Sequence, residues 1–95
     1  MSTPTHLLYL HGFRSSPQSA KARQLGAAIA QLQQQGHELT WLCPQLPPSP
    51  AEAIAELKAL VLDWPRERMV VIGSSLGGFY AAWLAQQRGC PAVLL

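Results

Sequence analysis

Residues 69–89 read MVVIGSSLGGFYAAWLAQQRG, and no other stretch of this chain restricts its fold so tightly. MVVIG is apolar throughout. It lacks the alternation of a strand with one wet face and is too short for a buried helix, so it reads as a strand covered on both sides. Strands of that kind belong to parallel sheets, whose crossover helices lie over the faces. The following LGGFYAAWLAQQRG is apolar nearly all round and reads as one of those helices, deeply buried and closed by Gly89. Two serines and three glycines stand at the junction, where the chain must reverse sharply.

The rest of the chain repeats the alternation of strand and helix. HLLYLHGF opens with a leucine-rich run that stops at His11 and Gly12. SSPQSAKARQLGAAIAQLQQQG reads as a helix with Ser16 as cap, Pro17 first inside, Gly36 at its end, and Ala22, Leu25, Ile29 and Leu32 on one face. HELTWLC reads as a second strand and PQLPPSP as a stiff loop. SPAEAIAELKALVLDWP carries Ser49 as cap, Pro50 first inside and Glu52 at the capping-box position. Its face is Ile54, Leu57, Val61 and Trp64, and Pro65 stops it. AVLL starts a fourth strand. This order predicts an α/β fold, a doubly wound parallel sheet with helices on both faces and right-handed crossovers. Ligands bind such sheets beyond the carboxyl ends of the strands, where the helices switch faces. HGF and GSSLGG both fall at such ends, and they face one another if the first and third strands are neighbours.

Composition narrows function by exclusion. Charged residues make up 13% of the chain, against an average of about 25%, so its elements are mostly interior. Seven basic and five acidic residues are scattered without a block, which gives no footprint for nucleic acid or an anionic membrane. Cys43 and Cys90 have no metal-ligand spacing and read as reduced core cysteines. The start MSTPTHLLYLHGF has no basic region ahead of its short apolar run, and no segment reaches membrane-spanning length. The expectation is a cytoplasmic protein with no nucleic-acid or membrane partner, no metal and no cofactor.

Gly73, Ser75 and Gly77 fit Gly-x-Ser-x-Gly, the turn that presents a serine nucleophile in α/β-hydrolases. A serine hydroxyl is a weak nucleophile and must be held in the open beside a base, with its surroundings ready for negative charge. A sharp turn from strand to helix does this, and glycines two before and two after relieve the crowding; Gly78 is expected to allow close helix packing. The helix start offers the Leu76 N–H to an oxyanion, and the loop after the first strand offers a second donor, the Phe13 N–H. The same residues also suit a plain glycine turn or a phosphate cradle, although a Walker A loop needs a lysine after its glycine and none follows here. His11 and Gly12 read as bracing that loop, the alternative for His11 being the general base. His6 and His37 fall at strand entrances and read as solvated, Asp63 as a capping or solvated residue, and Arg14 as a surface residue or a contact for an anionic substrate. Leu46, in the proline-rich loop, is a candidate pocket wall.

YLHGFRSSPQSAKA, CPQLPPSP and VIGSSLGGFYAAWLA together resemble the YqiA/YcfP-type (UPF0227-like) esterases, a small α/β-hydrolase family acting on carboxylic esters, and the resemblance runs over essentially the whole chain. It implies Ser75 as nucleophile and the Phe13 and Leu76 N–H groups as oxyanion donors, acting on a small ester through an acyl-enzyme. In that family the triad acid and histidine follow the serine, and nothing after Ser75 here is Asp, Glu or His. Residues 1–95 are therefore expected to form the N-terminal part of a single α/β-hydrolase domain, cut after the fourth strand. Its nearest partner is the C-terminal part of the same fold, and the chain alone is expected to be inactive. A thioesterase or amidase of the same fold, or a noncatalytic module binding a ligand or partner in the same crevice, fits the same residues.

Overall fold

The computed structural model describes residues 3–11, 20–74 and 76–95. Four strands and three helices alternate: β1 (His6–Leu10), α1 (Ala20–Gln34), β2 (Thr40–Leu42), α2 (Pro50–Leu60), β3 (Met69–Gly73), α3 (Leu76–Arg88) and β4 (Ala92–Leu94), with a 3-10 turn at Arg66–Arg68 leading into β3. The strands form one parallel sheet in the order β2-β1-β3-β4. This is the expected doubly wound α/β arrangement. The chain leaves β1 toward one edge, crosses back over β1 through α2, and continues past β3, so the switch point lies between β1 and β3.

Register decides which side chains share a face. Leu8 is level with Val71 and Leu42, and Leu10 with Gly73. Leu8, Leu10, Met69 and Val71 form the main core with Ala53, Leu57 and Val61 from the α2 segment and Tyr80, Ala81 and Leu84 of α3. The opposite face carries Leu7, Tyr9, Trp41, Val70 and Ile72, and α1 lies against it with Gly26 at the Trp41 indole.

Local chemistry explains the element ends. The Ser49 hydroxyl accepts from the Glu52 N–H and Pro50 opens α2, as a capping motif requires. Gly36 and Gly89 adopt positive φ, 97° and 72°, just past the ends of α1 and α3. Beyond Gly89, the Cys90 N–H reaches back to the Ala85 carbonyl. The Ser16 cap and Pro17 lie outside the described residues.

Five expectations need correction. The second strand is only Thr40–Leu42, and α2 stops at Leu60, so Pro65 opens the 3-10 turn instead of ending the helix. Strand β3 is buried at Met69, Val71 and Gly73 but only half-buried at Val70 and Ile72, because α1 is the one described helix on that side. Helix α3 is not buried all round. The sheet covers Gly77, Tyr80, Ala81, Leu84 and Ala85, while Phe79 is 67% and Leu76 41% exposed, because no element among the described residues covers that flank of the helix. His6 is not simply solvated: its Nδ1 is bonded to the Thr5 hydroxyl at 2.8 Å and its ring stacks obliquely on Trp64.

Candidate functional site

Paired side by side, β1 and β3 bring His11 and the turn after Gly73 to the same end of the sheet. Of the residues singled out from sequence, Gly73, Leu76, Gly77 and His11 are described there. Ser75, Gly12, Phe13 and Arg14 lie outside the described residues.

Both flanks of the turn are built for close approach. A Cβ at Gly73 would overlap the Gly77 carbonyl and sit 2.8 Å from the Ala81 methyl. A Cβ at Gly77 would overlap the Leu10 carbonyl oxygen and lie 2.6 Å from that of His11. Neither position tolerates any side chain without backbone movement, and these are the glycines that the motif places two before and two after position 75. Gly78 differs. A Cβ there would meet nothing nearer than 3.8 Å, at the Gly73 oxygen and a Leu94 methyl. The expectation that Gly78 permits close packing is therefore corrected: an alanine fits.

Hydrogen bonds tie the turn to β1. The Ser74 N–H donates to the Leu10 carbonyl at 3.2 Å, extending the parallel ladder by one residue. The Ser74 hydroxyl pairs with the Tyr9 hydroxyl at 3.2 Å. Leu76 is the first residue of α3, so its N–H has no acceptor within the helix and sits at the positive end of the helix dipole. An anion or a developing oxyanion is the charge that such a terminus favours.

His11 is 5% exposed, and its Nε2 accepts the Leu46 N–H at 3.1 Å. That bond fastens the chain leaving β1 to the proline-rich loop before α2. It also occupies the lone pair that a general base would need. Leu46 is half-buried and packs on the main core, so the residue expected to wall a pocket contributes an amide to the brace and a side chain to the interior. Asp63 is exposed in the turn after α2, at the other end of the sheet.

Both cysteines are free and half-buried, and burial pushes their thiols above the usual range; at Cys90 the Arg88 guanidinium partly opposes this. No helix among the described residues is long and apolar enough to cross a membrane.

Sequence reasoning missed the Tyr9 and Ser74 pair. The signal was present, since one hydroxyl inside an otherwise leucine-rich strand must find a partner when buried. A family model described as "Uncharacterised protein family (UPF0227)" matches residues 6–95, in agreement with the resemblance carried by the HGF, PQLPPSP and GSSLGG motifs, and the chain belongs to that family.

Proposed function

We propose that this chain carries the nucleophile and oxyanion-binding part of a serine hydrolase acting on small carboxylic esters. The observation that carries the reading is the absence of room for a Cβ at both Gly73 and Gly77. An ordinary strand-to-helix connection has no need of two such contacts placed symmetrically about one serine. A turn that drives that serine outward does.

In this reading the Ser75 hydroxyl attacks the ester carbonyl carbon as its proton passes to a base. The carbonyl oxygen becomes an oxyanion, accepting from the N–H groups of Leu76 and Phe13. Collapse expels the alcohol, which takes up the proton, and leaves an acyl-enzyme; water then attacks the acyl carbon and releases the acid. His11 is not the base, because its Nε2 is engaged by the Leu46 amide. His6 and Asp63 are at the far end of the sheet. The base and the acid that orients it are thus proposed to come from outside these 95 residues, from the C-terminal part of the same domain. Cytoplasmic placement is part of the same proposal.

The test is a fluorophosphonate probe applied to the full-length protein, with the labelled residue located by peptide mapping. Labelling is expected at Ser75 and lost in Ser75→Ala, whose hydrolysis of p-nitrophenyl acetate should fall by a factor on the order of 10⁶ with thermal stability unchanged. Turnover within tenfold of the parent would refute the assignment, and a protein that never reacts would favour a binding module.

A further inference from the structure

Tyr9 is an unusual choice for its position. It is 1% exposed in the next-to-last position of β1, on the sheet face opposite the main core, and it neighbours Trp41 with ring centroids 6.0 Å apart. A phenylalanine would fill the same volume without a hydroxyl to satisfy. The register explains the difference. Tyr9 is level with Ile72, and Ser74 is two residues further on, which is roughly 6.6 Å along the strand at ~3.3 Å per residue. A tyrosine leaning along the strand spans that distance and ends at the Ser74 hydroxyl. Ser74 is at the same time held by its own N–H on the Leu10 carbonyl. The residue directly before position 75 is therefore fastened to β1 twice, once through backbone and once through side chain.

We infer that Tyr9 and Ser74 are a positioning pair, fixing Ser74 where the chain leaves β3 so that the reactivity of the residue after it depends on their contact. This rests on the serine-hydrolase reading of position 75. Neither residue touches substrate; each acts through the backbone between Gly73 and Leu76. The close contact of Gly77 with the Leu10 and His11 carbonyls limits the turn from the helix side. The hydroxyl pair limits it from the strand side, and without that second restraint the turn can pivot about its glycines.

The experiment is a double-mutant cycle in the full-length protein with Tyr9→Phe, Ser74→Ala and both together. Ile54→Val, in α2 and away from the turn, serves as a control that lowers stability alone and keeps the parent's turnover. A misplacement near 1 Å can cost up to about 10² in rate, so each single variant is expected to lose about tenfold in kcat and in the rate of fluorophosphonate labelling, with KM within twofold. The double variant should lose no more than the worse single one, as residues acting as a unit do. Ser74→Thr, which keeps the hydroxyl, should recover most of the rate. Parental kcat in Tyr9→Phe or Ser74→Ala, with only the melting temperature lowered, would overturn the inference. A parent protein that neither hydrolyses esters nor reacts with the probe would instead remove the hydrolase reading. Amide exchange at Ser74, whose N–H is held by the Leu10 carbonyl, then decides the pair by itself: faster exchange in Tyr9→Phe than in Ile54→Val supports it, and equal protection overturns it.

Discussion

Gly77 and Gly78 are adjacent in the first turn of α3, yet alanine should have opposite effects at the two positions. At Gly77 the added carbon would overlap the Leu10 carbonyl oxygen and lie 2.6 Å from the Leu10 carbonyl carbon. Carbon atoms rest about 3.5–4.0 Å apart, so α3 must withdraw from β1 by roughly 1 Å. The Ser74 N–H to Leu10 bond, already 3.2 Å, would then pass out of range, a net loss of about 0.5–1.5 kcal/mol. Residual overpacking adds about 1–3 kcal/mol. Alanine's better helix propensity returns at most about 1 kcal/mol. The expected result is a loss of about 0.5–3.5 kcal/mol and a midpoint lower by several degrees, with a rate penalty of up to about 10² if the serine moves with the helix. At Gly78 the new methyl meets only ordinary contacts at 3.8 Å, so the propensity term stands alone and stability should rise by up to about 1 kcal/mol. Thermal and urea unfolding followed by circular dichroism, with ester turnover in parallel, decide the matter. Shifts of the same sign and size for Gly77→Ala and Gly78→Ala would refute the close-approach argument. Gly77→Val should exceed Gly77→Ala in both losses.

Two further expectations concern the surroundings of the turn. His11→Ala strands the Leu46 N–H and empties a buried site, and should cost about 1–3 kcal/mol for the unpaired amide alone; unchanged exchange protection at Leu46 would show that the bond does not form in solution. Cys43 and Cys90, with thiols raised chiefly by burial, should alkylate with iodoacetamide more slowly at pH 8 than a free thiol and catch up only in urea. The sign follows from the neutral thiol being favoured in the folded chain: that contribution is intact below the ordinary thiol pKa and is lost as pH rises through the folded value. Native rates equal to those of free cysteine would contradict the burial of both.

Beyond the α/β fold class, which the alternation of strand and helix already indicates, what could be read from the sequence alone was local. The buried strand MVVIG, the Ser49 and Pro50 start of α2, and the closing Gly36 and Gly89 each depend on residues within one turn of one another. So does the strand-turn-helix spacing around position 75. The extent of burial was less legible: hydrophobicity around α3 says what the helix tolerates, and only packing decides that Phe79 faces solvent while Tyr80 does not. The contacts that define the site's shape are separated in sequence. His11 meets Leu46 across 35 positions and Tyr9 meets Ser74 across 65, so no local pattern encodes them. The pairing of β1 with β3 creates the crevice, and through it the Leu10 and His11 carbonyls are brought onto Gly77 and not onto Gly78. The motif spacing already separates two neighbouring glycines, Gly77 and Gly78. The tertiary structure makes one of them obligatory, because only one of them turns its α-carbon toward another strand's backbone.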